Sequence, residues 1–502
     1  MRAYLKSLPV LLATSASAGA LTVAGFAPMS VFVLPVAALC VVLLAWRGAT
    51  PRAMFLSGFA FGAGLFGVGA SWVYISLHDF GTMPAPLAGV GTVAYCAILS
   101  LYPAGAGWCY SKLRSGGWAA PVLAFPGLWA IFEWWRGWMF TGVPWLALGY
   151  SQVDSPLAGF APVAGVYGVS FATALCSGLV VVMIGRGGRS RVAAGMAMIF
   201  LIGMGHFLRQ VEWTSPAGAP VKVALLQGNI SQDLKFQAGR YAATLAVYKR
   251  MIESSDALLV VLPETAIPRF LDAVDSRYLD DIARSAAVRG ADILLGVPIR
   301  EPGGRYFNSV VSLGASPIQR YDKAHLVPFG EFVPWGFHWI VNTVAIPLSD
   351  FSLGKRDPKP LALAGQRVAP NICWEDAFGE EIIRQLPEAT LLVNVSNVAW
   401  FGDSLAPAQH LQISRMRSIE TGRTMLRATN TGMTAIVGPH GEVLARLPQF
   451  TEGALAGDAQ GYAGATPYVR VGNYLVVLTC IALLGVLAFL RWRTLRARGE
   501  TR

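Results

Sequence analysis

Val368-Ala-Pro-Asn-Ile-Cys-Trp-Glu-Asp376 reads as a short buried strand that closes on a thiol. Short apolar runs of the same kind recur at Val221–Gln227, Leu258–Leu262, Ile293–Val297, Val310–Leu313 and Ala389–Val395. Stretches with helical periodicity lie between them, at 237–254, 275–289 and 404–423. Short apolar strands covered by helices imply a sheet buried on at least one face, so 209–468 reads as an α/β domain. Its length is enough for a core of its own.

Outside that region the composition changes. Of 502 residues, 54% are hydrophobic and only 14% charged. A soluble protein carries roughly 25% charge, so much of this chain belongs in lipid. A crossing helix needs roughly 17–25 mostly apolar residues. Candidate spans lie near 8–26, 28–46, 54–77, 86–110, 118–135, 163–185, 192–208 and 471–490. The expected organisation is a multi-span α-helical membrane domain over 1–208 with about seven spans, an extramembrane α/β domain over 209–468, and a last span with a basic tail over 469–502.

The net charge of +11 does not mark a nucleic-acid binder. Arg and Lys gather at the ends of apolar runs and in Arg491-Trp-Arg-Thr-Leu-Arg-Ala-Arg498, the pattern of membrane orientation. With Arg2 and Lys6 in the cytoplasm, successive crossings bring Arg47 and Arg52, Lys112 and Arg114, and Arg186, Arg189 and Arg191 to that side. The opposite loops, 78–85 and 136–162, carry only Arg136. Both termini are then cytoplasmic and 209–468 lies outside. Residues 1–20 read either as a cleavable signal peptide or as a retained span whose Ala16-Ser-Ala-Gly-Ala20 run packs on another helix; the retained span is the expectation here.

Cys40, Cys96, Cys109, Cys176 and Cys480 fall inside the apolar runs, which leaves Cys373 without a disulfide partner in its region. Glu264 follows a strand run, in Leu262-Pro-Glu-Thr-Ala-Ile-Pro268. Lys323 stands on a loop, in Tyr321-Asp-Lys-Ala-His-Leu-Val-Pro-Phe-Gly-Glu331. Strand ends of a layered α/β domain bring distant side chains together in a crevice. A thiol of pKa about 8.5 is expected to be lowered by a neighbouring ammonium and to give its proton to a carboxylate within reach. Such a trio attacks an acyl carbon, with the ammonium and the amide after the cysteine steadying the oxyanion.

Each residue alone has a plainer reading. Cys373 is then a small core residue, Glu264 a surface carboxylate, and Lys323 a solvated charge beside Asp322. Three matched segments in one domain outweigh these. His325 and His410 suggest a Cys–His pair, which is less consistent with that set. Arg415, Arg417 and Arg423 read equally as a phosphate-headgroup site or as partners of Glu420, while Glu133 and Arg136 read as a structural pair. No zinc spacing and no phosphate loop occurs, so neither a metal nor a cofactor is expected.

These segments resemble the nitrilase superfamily and, more closely, its membrane-embedded apolipoprotein N-acyltransferase family. The resemblance is carried by Leu226-Gln-Gly-Asn-Ile230, Pro263–Pro268, Lys323–Phe332, Asn371-Ile-Cys-Trp-Glu375, Asn394–Asp403, Arg415–Arg417 with Gly422-Arg423, and Pro144-Trp145. It implies an α-β-β-α sandwich, with Glu264 as general base, Lys323 as the oxyanion-stabilising cation and Cys373 as nucleophile. Glu331 and Glu375 match further acids of that family's site, and Asn229, Phe236, Trp145 and Trp374 supporting positions. Trp374 stands where tyrosine is usual, Phe236 where tryptophan is common, and Val398 where an aspartate is usual.

The implied reaction moves an acyl chain from a phospholipid, through a thioester on Cys373, to the α-amino group of a diacylglyceryl-modified N-terminal cysteine on an apolipoprotein. The implied setting is the periplasmic face of a Gram-negative inner membrane, with membrane lipid as partner and the protein as a monomer. A membrane-tethered amidase or nitrile hydrolase is the rival in the same chemistry. A transporter is the rival outside it, but the spans hold almost no ionisable residues.

Phe332-Val-Pro-Trp-Gly-Phe-His-Trp-Ile-Val341 follows the lysine segment and is strongly aromatic, so it is expected to dip into the headgroup region as a lid. An entrance at bilayer level spares an acyl chain about 0.8 kcal/mol of water exposure per methylene. Replacing Trp335, Phe337 and Trp339 together by serine should slow acylation by phospholipid and spare a small soluble thioester donor. Equal loss with both donors contradicts that role.

Overall fold

The long apolar runs fold as helices, in which backbone donors and acceptors are satisfied within one segment. The computed structural model describes residues 7–114, 117–333 and 350–497. They divide into two compact units, one of Met1–Tyr74, Pro86–Val211 and Arg470–Arg502, the other of Ile75–Ala85 and Glu212–Val469. Trp335, Phe337 and Trp339 lie outside the described residues.

The first unit contains α1 (Leu8–Thr22), α2 (Val33–Ala45), α3 (Pro51–Gly69), α4 (Ala85–Leu113), α5 (Phe125–Arg136), α6 (Ala161–Gly185) and α7 (Gly188–Arg209), and a C-terminal helix, Tyr474–Ala497. Among the described residues, six helices are long and apolar enough to cross a membrane. The spans expected near 28–46 and 118–135 are shorter, α2 having 13 residues and α5 12. Pro121, in the wide-turn segment Ala120–Ala124 ahead of α5, has no N–H to give a regular ladder.

The expected span 54–77 also stops early, at Gly69. Ser76 Oγ donates to the Trp400 carbonyl at 2.8 Å, and Phe80 lies edge-on to Trp400. Ile75–Ala85 therefore groups with the second unit and not with 1–208. Within the first unit α1 and α3 approach so closely that a Cβ on Gly19 would stand 1.9 Å from the Phe61 carbonyl oxygen. The Ala16–Ala20 run is thus a helix-packing face.

The second unit is built on two six-stranded sheets. In chain order the strands are β1 (Val221–Gln227), β2 (Leu259–Val261), β3 (Asp292–Arg300), β4 (Tyr306–Gly314), β5 (Arg320–Asp322), β6 (Leu361–Leu363), β7 (Gln366–Ile372), β8 (Leu391–Ser396), β9 (Thr424–Thr429), β10 (Ala435–Val437), β11 (Val443–Arg446) and β12 (Gly453–Ala459). The first sheet runs β12-β1-β2-β3-β4-β5 and the second β11-β10-β9-β8-β7-β6. Each has three parallel strands at its heart, β1-β2-β3 and β7-β8-β9, flanked by antiparallel ones.

Side chains alternate across a strand, which gives each sheet two apolar faces. Ala224, Leu226, Val260, Ile293 and Leu295 pack against Tyr248 and Ile252 of α8 (Ala238–Glu253) and Ile282 and Ala286 of α9 (Ser276–Val288). Ala369, Leu392 and Met425 pack against Leu411 of α10 (Ala406–Thr421). Between the sheets, Thr434 Oγ1 donates to Gln227 Oε1 at 2.7 Å. The result is the α-β-β-α sandwich.

Candidate active site

Three chain turns build the site. β2 runs into Leu262-Pro263-Glu264, and the next residue, Thr265, has φ +48°. β7 runs into Cys373, itself at φ +54°, which opens the short helical turn Cys373–Ala377. Left-handed backbone is uncommon for residues with a Cβ and is held only where the surroundings fix it. Lys323 follows β5 directly and is anchored by its N–H to the Asn308 carbonyl at 2.8 Å. The Glu264 carboxylate and the Lys323 ammonium thus come from the first sheet, and the thiol from the second.

Lys323 is 1% exposed. Its Nζ lies 2.8 Å from Glu331 Oε1 and 3.6 Å from Glu264 Oε1. Asn308 Nδ2 donates to both carboxylates at 2.8 Å, and the Asn397 N–H donates to Glu264 Oε2 at 2.8 Å. The Val327 N–H donates at 2.8 Å to Glu331 Oε2, which also lies 2.8 Å from Lys323 Nζ. These bonds fix both acids and leave little freedom for the ammonium between them.

The charges follow from that geometry. Burial works against the Lys323 ammonium, but the carboxylates of Glu331 and Glu264 outweigh it and keep it charged well above its ordinary range. Burial likewise works against the Glu264 carboxylate. Lys323, the Asn308 bond, Lys235 and the Asn397 N–H prevail and hold it below its ordinary value. The thiol behaves opposite to expectation. Burial and then the Glu264 charge push Cys373 up, and the opposing pull of Lys323 is too weak to prevent it. The resting pair is a neutral thiol beside an ionised carboxylate, and the proton must move during attack.

Glu375 is brought close but faces away from the chemistry. Its Oε1 accepts from the N–H groups of Ala324 and His325, at 2.6 and 3.0 Å. Its Oε2 accepts from the Ile372 N–H at 2.6 Å and from Tyr321 OH at 2.8 Å. It therefore ties the lysine loop to the cysteine turn. Burial pushes its carboxyl up to about 7, against the pull of Lys323 and these donors. Glu375→Gln should lower the unfolding midpoint of the purified protein, because an amide NH2 turned toward N–H groups leaves buried donors unpaired at about 1–3 kcal/mol each. An unchanged midpoint contradicts the clamp.

The histidines do other work. His410 Nε2 faces Asp376 Oδ1 at 2.7 Å and the Cys373 carbonyl at 3.2 Å. Burial, with Arg427, lowers its pKa and keeps it neutral. His325 stacks on Phe378 and bonds Glu381 through Nδ1 at 3.0 Å. Of the three guanidiniums Arg417 pairs with Glu420, and the other two bond main-chain carbonyls. Arg417 meets Glu420 at 2.9 Å in the core, Arg423 donates to carbonyls of Ala389 and Gly464, and Arg415 to that of Gly441.

Most of the other expected residues have partners of their own. Asn229 (φ +50°) holds loops together, its N–H donating to the Asn430 carbonyl and its Nδ2 to that of Phe450. Trp374 packs edge-on to Phe378, and Phe236 is 37% exposed. Val398 is buried against Gly432, where a Cβ would meet it at 2.1 Å. Trp145 belongs to the first unit. There it lies 5.3 Å from Trp72 between ring centroids, and its carbonyl accepts from Arg136 at 2.6 Å. Glu133 accepts from Trp129 Nε1 and the Leu148 N–H, so both charges anchor the 143–148 loop.

Sequence reasoning missed Asn308, Asn397, Lys235 and the group of Asp376, Asn394, Ser414 and Arg427 under the cysteine. Arg427 Nη1 donates to Asn394 Oδ1 at 2.7 Å, Ser414 Oγ at 2.9 Å and Asp376 Oδ2 at 3.1 Å. Asn394 Nδ2 in turn donates to the Cys373 carbonyl at 2.9 Å. The available signal was polar residues inside apolar runs.

Two family models match the chain, Apolipoprotein N-acyltransferase N-terminal domain over residues 18–179 and Carbon-nitrogen hydrolase over 222–468. An apolipoprotein N-acyltransferase from Nitrosomonas europaea is 50% identical over 476 residues, covering 93% of this chain and 94% of its own. The chain belongs to the apolipoprotein N-acyltransferase family. Another apolipoprotein N-acyltransferase, from Chromobacterium violaceum, is 45% identical and covers 96% of this chain and 94% of its own. Among solved structures, an amidase from a Nesterenkonia species is 18% identical, with a TM-score of 0.36 over 51% of this chain and 94% of its own. The Carbon-nitrogen hydrolase match begins at residue 222, the second residue of β1.

Proposed function

We propose that the protein transfers an acyl chain from a phospholipid to the α-amino group of a diacylglyceryl-modified N-terminal cysteine, by a ping-pong route through Cys373. The observation that carries the reading is one buried ammonium, Lys323, held between Glu264 and Glu331 beside a neutral thiol. Family membership supports the choice of an amine as acceptor.

In the first step Glu264 takes the thiol proton as the sulfur attacks the ester carbonyl carbon, and a C–S bond forms. Lys323 and the amide after the cysteine face the oxyanion. Collapse breaks the acyl C–O bond, and protonated Glu264 gives its proton to the departing lysophospholipid oxygen. In the second step the neutral amine attacks the thioester and Glu264 accepts a proton from nitrogen. The C–S bond breaks, the thiolate regains that proton, and the site is restored.

The distribution of Arg and Lys supports a multi-pass membrane protein with cytoplasmic termini and a periplasmic 209–468 region. A thioester that must choose an amine over water needs a site poor in water, which suits the burial of all three side chains. The test is purified protein given phospholipid with a labelled acyl chain and a diacylglyceryl peptide. Amide-linked label on the peptide is expected. Label released only as free fatty acid overturns transfer in favour of a hydrolase.

A further inference from the structure

Lys235 is a second buried ammonium that the triad does not use. It ends the helical turn Gln232–Lys235, is 3% exposed, and donates through Nζ to the main-chain carbonyl of Glu264 at 3.3 Å. Among the described residues no carboxylate forms an ion pair with it. The same turn reaches the base from another side. Gln232 Oε1 accepts from Asn397 Nδ2 at 2.8 Å, and the Asn397 N–H holds Glu264 Oε2.

A buried ammonium without a carboxylate partner is costly, so its surroundings must contain compensating charge. Around the thiol Glu264 and Glu331 bring two negative charges and Lys323 one positive, while the Arg427 charge is offset by its ion pair with Asp376. Moving the thiol proton to Glu264 shifts the negative charge to sulfur and leaves that sum at minus one. Lys235, whose charge acts on both Glu264 and Cys373, brings it to zero.

The geometry points to Lys235 as a positioning residue for acyl transfer, its ammonium gripping the Glu264 segment and balancing the second carboxylate so that thiolate and oxyanion form in a site of zero net charge. This rests on the acyl-transfer reading of the same site. Glu264, from the turn after β2, and Cys373, from the turn after β7, are the titrating groups that face it; Asp233, on its own turn, is exposed. Burial pushes the Lys235 ammonium down to about 8, with Glu264 and Cys373 opposing. Acylation should therefore decline as pH rises through that value, because the balancing charge is lost.

The experiment follows single-turnover acylation of Cys373 by phospholipid across the neutral-to-alkaline range, beside its alkylation by iodoacetamide read by peptide mapping. In Lys235→Met acylation should slow by about tenfold to a hundredfold, the alkaline decline near pH 8 should vanish, and alkylation should shift to higher pH. Lys235→Arg, which keeps the charge, should move the decline to higher pH. A methionine variant with the wild-type rate and profile overturns the inference. So does equal slowing in both variants with the alkaline decline unmoved, the mark of a packing role. The methionine variant decides alone if arginine does not fit. Wild-type protein that takes no acyl group refutes the transfer reading, whereas the alkylation profiles still judge Lys235.

Discussion

Cys373→Ala should give no acyl adduct and no transfer, and Cys373→Ser should keep less than about a thousandth of the wild-type rate. The serine case is the more informative. Burial and the Glu264 charge already push the thiol up, so the base has no margin for a hydroxyl of much higher pKa. A carboxylate held below its ordinary range by Lys323 and two donors is a weak base toward an alcohol. Both replacements keep the side chain small, so the left-handed turn at 373 and the Asn394 bond to its carbonyl should survive. Single-turnover transfer, with the unfolding midpoint as control, checks this. Serine activity within tenfold of wild type would remove the nucleophile.

Glu264→Gln should lower acylation by about a hundredfold to ten-thousandfold, the usual range for a lost general base. The amide nearly matches the acid in shape, but its NH2 must face the donors of either Asn308 or Asn397. Some loss of stability accompanies the loss of rate, so Glu264→Asp is a useful companion. It keeps the charge but moves it about one methylene away from both donors. On the proposed route Glu264 works as base while ionised, and its pKa is depressed. Its acid limb should therefore lie below the ordinary carboxylate range, and acylation should persist as pH falls to that range. An acid limb near neutrality would contradict Glu264 as the base.

Much of this was legible in the chain, for identifiable reasons. Glu264 and Cys373 each follow or close an apolar strand, and a strand end is a position that sequence marks; Lys323, after the charged Arg320-Tyr-Asp322, was legible only through its segment. The parallel strands β1, β2, β7 and β8 were marked as mostly apolar runs with few exposed positions. β9 was not, because Thr424-Met-Leu-Arg-Ala-Thr429 alternates apolar residues with a guanidinium that is buried only through Asp376, Asn394 and Ser414. The short edge strands β5, β6 and β10 carry too few residues to show a period.

The thiol's direction of shift was misjudged because spacing shows that an ammonium is near but not how fully the thiol is buried, nor that two carboxylates act on it as well. Lys235 was overlooked for a related reason. A lysine in a polar loop ordinarily faces water, and only three dimensions place this one behind the base. The resemblance named Phe236 and Trp145 by motif; Phe236 lies on an exposed turn of the second unit, and Trp145 belongs to the first.

Intact-protein mass spectrometry after incubation with phospholipid alone addresses the central chemistry most directly. One acyl mass should appear on Cys373, persist in buffer, and leave when a diacylglyceryl peptide is added. Wild-type protein that never gains that mass, or gains it on a residue other than Cys373, would contradict the thioester route.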